Sequence, residues 1–574
     1  MTVTKHLHWF ILAILALAFS CAKQVSPTGG PKDTIPPVLV KASPPNESIR
    51  FRGNEIELQF SEDVNLNSPK EQLIITPRVK EYKITYRRNT VKIQFEEPLK
   101  DSTTYTLNFR DAVQDLTERN PVRNLSLAYS TGNYIDSLSV EGTVFDLLKG
   151  KPVKDATVAL HVRNDTFNIL LHPAVYFTKT DDKGRFKISH LQPNAYFIYA
   201  FEDKNRNLIV NSRTESYGFR AEHIDLRSNV KDIDIGIIRL DAGPLRITSA
   251  RPYNTYYNIR TSKNLRTFTI ASADSLKLAY TFGENQANIR IYDTFDADSA
   301  AVHLIAHDSL GNAIDTTLYA KFLTRDVTPE RFQMQVPSTS LLAQTGQFKA
   351  TFQLSKPLQT ILYDSIYLQI DSLTKIQFAP EDFAWDPIPR KLELRKQLDP
   401  RLFNKDEPNG SSSRASRFQR LSQQGQQTAA TPTAPQEPQL YLGKAAFITV
   451  EADSSAQTSQ SVKPLRPDEL SEINLAIRTD QPSFIVQLLD NNYNIVAQIR
   501  DNPKPVFRDV IPGDYQIRLV IDFNKNGKWD PGNYFQMLEP EPIVYYRAPD
   551  GSTNIKGVKA NWVIGTDGAM FITY

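Results

Sequence analysis

Ile56-Glu57-Leu58-Gln59-Phe60 sets apolar and polar residues in strict alternation, and Val91-Lys92-Ile93-Gln94-Phe95 and Tyr105-Thr106-Leu107-Asn108-Phe109 do the same. Successive side chains of a strand point to opposite faces, so each stretch turns one face inward and one toward water. Turn residues separate the three, which predicts a sandwich of short antiparallel strands. Composition agrees: 36 Pro, 24 Tyr and 30 Phe against 4 Met suit strands and turns better than helices. A chain of 574 residues is too long for one core and implies about three to five domains. The expected fold class is therefore all-β, with β-sandwich domains in tandem.

Charge narrows the partners. The formal net charge is +3 and the charges are mixed along the sequence, with no basic stripe of the kind a nucleic-acid binder needs. The hydrophobic content of 40% is ample for packed domains.

The only cysteine, Cys21, ends an N-terminal segment with a specific pattern. Lys5, His6 and His8 precede an apolar run from Trp9 to Phe19, and Leu17-Ala18-Phe19-Ser20-Cys21 closes it. A short charged region, an apolar region and a small residue before the cleavage point read as a secretory signal peptide over residues 1–20. The apolar run is shorter than the roughly 20 residues a membrane-spanning helix needs. The Leu-Ala-Phe-Ser-Cys sequence resembles the lipobox of bacterial lipoproteins, which implies that Cys21 accepts a diacylglyceryl group. Alanine stands three residues before the cysteine, where leucine is commoner. Acylation of Cys21 leaves no thiol, so disulfides and cysteine metal sites are excluded. Residues 21–35, rich in Pro and Gly, are then an extended tether.

The spacer Pro27-Thr28-Gly29-Gly30-Pro31-Lys32-Asp33, together with Phe60-Ser61-Glu62, Leu99 to Tyr105 and Ser130-Thr131-Gly132, resembles the bacterial Ig-like domain of Bacteroidetes-type lipoproteins, a domain that spans residues 36–135. That resemblance implies a sandwich and an envelope location without implying an activity. Val140-Glu141-Gly142-Thr143-Val144, Asp155 to Val158, Asp182 to Phe186 and Leu191 to Tyr196 resemble the carboxypeptidase regulatory-like (prealbumin-like) β-sandwich, assigned to residues 138–242. Despite its name, that module carries no catalytic residues, and its resemblance implies a spacer or docking unit.

The C-terminal part repeats the pattern. Pro193, Tyr196, Asp203, Asn205 and Asn207 match Pro512, Tyr515, Asp522, Asn524 and Asn526, each pair 319 positions apart (512 − 193). Thr351 to Leu358 echoes the Phe60-Ser61-Glu62 strand, and Lys391 through Leu398 echoes Lys92 through Leu99 at an offset of 299 (392 − 93). The difference is accounted for by residues 404–439, whose Ser, Gln, Ala, Thr and Pro lack hydrophobic periodicity and predict disorder. An Ig-like plus regulatory-like pair has thus been duplicated, giving a second Ig-like copy at 327–464 and a second regulatory-like copy at 465–574. Residues 243–326 form a further β-sandwich module of unassigned family, seen in Leu276-Lys277-Leu278 and Ile289-Arg290-Ile291.

Candidate chemistry centres on Asp522-Phe523-Asn524-Lys525-Asn526-Gly527-Lys528-Trp529-Asp530. Oxygen-bearing side chains at positions 1, 3 and 5, Gly at 6 and Asp at 9 imitate the opening of a calcium loop, making Asp522, Asn524, Asn526 and Asp530 the candidate Ca²⁺ ligands. Asn533 stands where a bidentate Glu belongs, and the flanks are β. The competing reading is an Asx-rich hairpin whose side chains bond their own backbone. The sister loop from Asp203 to Leu208 lacks the glycine and favours the hairpin reading. His303 and His307 sit in a strand-like context that sets them about 13 Å apart, too far to share a metal. No Gly-x-Ser-x-Gly elbow, phosphate loop or dinucleotide fingerprint occurs, and no catalytic residue or cofactor is assigned. Tyr253 to Tyr257, Tyr545-Tyr546 and Trp529-Asp530 are aromatic clusters that could stack on sugars or simply pack.

These readings converge on a non-enzymatic envelope lipoprotein anchored in the outer membrane: a rod of modules contacting an envelope protein or polysaccharide. A surface-displayed glycan-binding or adhesion module is the alternative, and a hydrolase hidden in the central region is a third. Ala22-Lys23-Gln24-Val25 carries no acidic residue behind the cysteine, which favours a periplasm-facing orientation.

Overall fold

The computed structural model describes residues 32–164, 166–272, 277–292, 299–323, 327–403 and 437–574. Cys21 and the signal region lie outside the described residues, as do most of the 404–439 stretch and Leu276. Strands dominate throughout, arranged in mostly antiparallel sheets.

The alternating stretches form the first module. Leu39–Ser43, Glu55–Phe60, Thr90–Phe95 and Tyr82–Arg87 make one sheet in that spatial order. Ile74–Thr76, Thr104–Asn108 and Ser126–Ser130 make the facing one. Ile56, Leu58, Phe60, Val91, Ile93, Leu107 and Phe109 meet in the core between them. The second module sets Leu138–Asp146 between Arg185–Leu191 and a parallel partner, Val230–Ile237. Its other sheet runs Tyr176–Lys179, Thr157–Val162, Asn194–Phe201 and Tyr217–Phe219, and Ile224–Leu226 also pairs with the third of these.

The later modules repeat these orders. Met334–Leu342, Gln347–Leu354, Lys391–Gln397 and Phe383–Asp386 repeat the order of the first sheet of the first module, with a fifth strand, Pro464–Leu465, added parallel to Met334–Leu342. Ser471–Asn474 lies between Val506–Val510 and a parallel Val563–Ile564, as Leu138–Asp146 lies between its neighbours. Ile495–Arg500, Phe484–Leu489, Gly513–Ile521 and Ile543–Tyr545, with Asn554–Val558 on the third, restate the second sheet of the second module. The repeat seen in spacing is therefore also a repeat of topology. Gln439 already opens the strand Gln439–Leu442, so ordered pairing begins inside the stretch read as disordered. Between the pairs, Tyr256–Thr261 and Ser299–His307 anchor two sheets around Ile259, Ile289, Ile291, Val302 and Leu304.

Modules distant in sequence are also in contact. Leu147 of the second module packs with Ile485, Leu489, Val520, Ile543 and Tyr545 of the last, and Phe145, Leu148 and Trp529 close over them. The cause is visible in Phe484–Leu489, where all six residues are buried. A strand covered on both faces cannot stand alone in water, and the second module supplies its other cover. Desolvated side chains fasten the other junctions too. Lys263 pairs with Asp308 at 2.6 Å and donates to the carbonyls of Asp241 and Gly243. Arg290 reaches Glu330 at 2.8 Å and lies over the Tyr256 ring, and Arg390 donates to the carbonyl oxygens of Phe282 and Gly283.

Candidate functional site

The Asp522 loop leaves the end of Gly513–Ile521 and sits where the last module meets the second and third. Its first residue is buried and holds the turn from inside. The Asp522 carboxylate accepts the backbone N–H groups of Asn526 at 3.0 Å and Gly527 at 2.7 Å. Asn524 Oδ1 also accepts from the Asn526 amide, and Asn526 Oδ1 accepts from Lys528. Gly527 takes a left-handed φ of 74°, and a Cβ there would meet the Arg500 guanidinium, which donates to its carbonyl.

Across the loop, the side-chain amides of Asn524 and Asn526 both point at Asp530 Oδ2, at 2.6 and 2.5 Å. Three of the four residues singled out as ligands, Asn524, Asn526 and Asp530, thus meet at one point, while the Asp522 carboxylate is occupied by the backbone amides of Asn526 and Gly527. Burial opposes ionisation of Asp530, but hydrogen bonds from Asn524, Arg266 and Asn526 outweigh it and hold its pKa low. Asn533, at the twelfth position, turns away: its Oδ1 accepts from the Phe535 amide and its Nδ2 donates to the Leu310 carbonyl of the third module.

A residue outside the motif completes the loop. Glu541, 5% exposed, accepts the amides of Phe523 and Asp530 with its two oxygens, each at 2.9 Å. Burial raises its pKa, and the nearby Asp530 and Asp522 add to the rise against the amide hydrogen bonds. The sister loop has the same arrangement. Asp203 accepts from Asn207 and Leu208, and the buried Glu215 accepts from Lys204 and Asn211. Leu208 holds φ at 62° although it is not glycine. Glu215 and Glu541 are 326 positions apart (541 − 215), not 319, because seven residues have been added before the second. That shift hides the pair from a fixed-offset comparison.

The added residues form the contact with the second module. Tyr534 enters a cluster with Phe197, Tyr199, Phe201, Tyr217 and Phe219, and its hydroxyl oxygen accepts the Ile169 amide at 3.1 Å. Glu539 accepts from the Ala221 amide and lies 3.3 Å from Arg220, while Arg266 of the third module bonds Asp530 at 3.0 Å. One loop therefore ties three modules.

The other sequence candidates disperse. His303 and His307 lie on one strand, Ser299–His307, and His303 faces Asp315 across the ladder at 3.2 Å. Tyr256, Tyr257, Tyr545 and Tyr546 are buried, Trp529 donates to the Glu541 carbonyl, and only Tyr253 of the cluster is exposed. Among the described residues no group of three or more His, Cys, Asp or Glu gathers as a metal site, and no helix is long and apolar enough to cross a membrane.

Comparison with known proteins bears on the first module: residues 33–131 match the bacterial Ig-like domain family. No curated protein matches the sequence. Among solved structures, the Bacillus anthracis TIE protein is 9% identical with a TM-score of 0.12, over 96% of this chain and 75% of that one. Dimeric latent PorU from Porphyromonas gingivalis is 8% identical with a TM-score of 0.21, over 52% and 34%. Domains 1–6 of the surface layer protein SbsC are 9% identical with a TM-score of 0.14, over 90% and 67%. At such scores the chains do not superpose as wholes.

Proposed function

We propose that the chain is a non-enzymatic scaffold or interaction lipoprotein of the cell envelope, held in the outer membrane through acylated Cys21 and facing the periplasm. The observation that carries this reading is the docking of the last module on the second. Loops at the ends of β-sandwiches are where binding and catalytic residues are usually displayed. Here the Asp522 loop is spent on holding modules together, through Tyr534, Asp530 and Glu539. The product is a stiff multi-module body suited to presenting surfaces at fixed separation. The bacterial Ig-like match at residues 33–131 supports an envelope setting, and each buried lipid CH₂ adds about 0.8 kcal/mol to anchoring. Partners are envelope proteins or polysaccharide, not nucleic acid.

We further propose weak Ca²⁺ binding by Asp522, Asn524, Asn526 and Asp530. To aim oxygens at the point near Asp530 where they converge, the two Asn amides would have to turn and give up the bonds that their Oδ1 atoms accept from the Asn526 and Lys528 amides. Glu541 is engaged by backbone amides and Asn533 offers no bidentate carboxylate, so the affinity belongs to the range of about 10⁻⁴–10⁻³ M seen for extracellular modules.

Protease treatment of intact cells, with Cys21→Ser alongside, tests orientation and anchor. Protection that ends when the outer membrane is permeabilised, and release of Cys21→Ser from the membrane fraction, are expected. Cleavage in intact cells would overturn the periplasmic placement, and membrane retention of Cys21→Ser would overturn the lipid anchor.

A further inference from the structure

The first and second modules enclose a polar cleft of about 600 Å³ that the scaffold reading does not use. Its walls are fixed. Thr76 Oγ1 donates to the Phe177 carbonyl at 2.7 Å, the Arg78 amide donates to the Val175 carbonyl at 2.7 Å, and Thr106 Oγ1 meets His190 Nδ1 at 3.1 Å. The cleft is therefore present before any ligand arrives, which spares the ordering cost of binding.

Its lining is unusual in two respects. Three of its residues, Arg110, Asn124 and His190, hold left-handed φ values of 46°, 56° and 59°. Such conformations cost on the order of 1–3 kcal/mol each and concentrate at ligand sites. Lys179 is the second. Its half-buried ammonium has only the Asp155 carbonyl at 3.3 Å and Thr157 Oγ1 at 3.5 Å, and it makes no ion pair among the described residues. Lys154 and Lys187, also in the cleft, each have a carboxylate within 3 Å, at Asp182 and Glu141. Burial lowers the Lys179 pKa; Asp203 and Asp155 act to raise it, and Arg110 and Arg206 add to the lowering. Arg123 stands exposed on the rim, and Asn108, Asn124 and Ser126 supply neutral hydrogen-bonding groups along the wall. Three carboxylates also line the cleft, Asp111, Asp181 and Asp182, of which Asp181 is paired with Arg185 and Asp182 with Lys154.

We propose that this cleft binds an acidic sugar, with the carboxylate or phosphate seated on Lys179 and the hydroxyls on the amide and hydroxyl wall. A half-buried ammonium that no carboxylate touches among the described residues, with Asp203 and Asp155 acting on it only from farther off, is incompletely compensated and favours an anion. A charge-assisted contact to an oxyanion is roughly twice as strong as a neutral hydrogen bond. Rows of hydroxyls and amides suit a polyhydroxylated ring better than an apolar ligand. The carboxylate and phosphate forms share this chemistry, and the probes separate them.

Calorimetric titration of the full chain with digalacturonate, glucose 6-phosphate and neutral maltose tests the proposal. One acidic probe should bind and maltose should not. Lys179→Gln and, independently, the rim variant Arg123→Glu should weaken binding at least tenfold, and Lys349→Gln on the fourth module should leave it unchanged. Unfolding midpoints measured beside each titration separate loss of the site from loss of the fold, and Arg123→Glu decides if Lys179→Gln does not fold. The proposal fails if neither acidic probe binds at millimolar concentration, if maltose binds equally, or if a folded variant of Lys179 or Arg123 retains wild-type affinity.

Discussion

The hydroxyl of Tyr545 donates to the carbonyl oxygen of Leu148, 397 positions earlier in the chain. Arg518 Nη1 donates to the same oxygen at 3.2 Å, so a turn of the second module is read by two side chains of the last. The turn can be approached this closely because of Gly150. It holds φ at 63°, and a Cβ there would lie 2.5 Å from the Tyr545 ring. Gly150→Val should therefore push the modules apart. The left-handed backbone alone costs about 1–2 kcal/mol for a residue with a side chain, and the clash adds to it. Small-angle scattering should show a larger radius of gyration for the variant, with circular dichroism unchanged. An unchanged radius would mean that the turn absorbs the side chain.

Tyr534 carries the second attachment. It is 8% exposed among aromatic rings of another module and accepts a hydrogen bond from the Ile169 amide. Truncating a buried aromatic to Ala costs about 3–5 kcal/mol. Tyr534→Ala should split a single thermal transition into two, the earlier one belonging to the last module. Tyr534→Phe keeps the ring but strands the Ile169 amide, at a cost of about 1–3 kcal/mol, and should shift the transition without splitting it.

The sequence displayed the sandwiches better than the way they join. Alternation in Ile56–Phe60 and Val91–Phe95 led straight to the sheet Glu55–Phe60 and Thr90–Phe95 form, because one-sided burial writes a period of two. Phe484-Ile485-Val486-Gln487-Leu488-Leu489 also carried a signal, an apolar run broken only by Gln487, and that pattern meant burial on both faces. Which module would provide the second cover was not legible, since Leu147 and Leu148 look like ordinary core residues. In the loop, Asp522, Asn524, Asn526 and Asp530 were legible from spacing. Glu541 was not, because nothing local links it to the motif: its role is set by the return of the chain after an insertion.

Acid should loosen the junction between the second and third modules. Asp308 is buried, which opposes its ionisation, but hydrogen bonds from Lys263 and Asn312 prevail and lower its pKa. A carboxylate whose folded pKa is depressed contributes stability above its unfolded value, ordinarily near 3.8. That contribution is lost as pH falls through the folded value. Asp308→Asn should flatten this acid limb in urea titrations run across pH. At neutral pH it should cost about 3–5 kcal/mol, because it leaves Lys263 buried and unpaired. An acid limb as steep as the wild type's would place the titrating group elsewhere.

Calcium should raise the melting temperature of the last module, and chelator should lower it. At a hundredfold excess over its dissociation constant a ligand stabilises by about 2.7 kcal/mol, so millimolar Ca²⁺ should give a smaller but measurable shift. Asp530→Asn should abolish the response while keeping the amide-facing half of the loop intact. If Ca²⁺ moves neither protein, the loop is an Asx hairpin alone, held by Asp522 and Glu541 as its sister is by Asp203 and Glu215.

Cutting the chain between Phe403 and Glu437 should not separate its halves. Arg414, Arg417 and Arg420 offer trypsin sites within a stretch rich in Ser and Gln, and such composition favours cleavage. Two sets of contacts cross the cut. Within the fourth module, Gln439–Leu442 pairs with Ile366–Gln369, so one sheet draws strands from both fragments. Farther off, Tyr545, Ile485 and Leu489 remain packed on Leu147, and Tyr534 remains among the rings of the second module. The nicked protein should elute from a sizing column as one species and fall into two only in denaturant. Combining the nick with Tyr534→Ala tests the Tyr534 attachment. If that attachment holds the fragments, the one beginning near residue 421 elutes separately. If the sheet or the Leu147 contact holds them, the double change still elutes as one species.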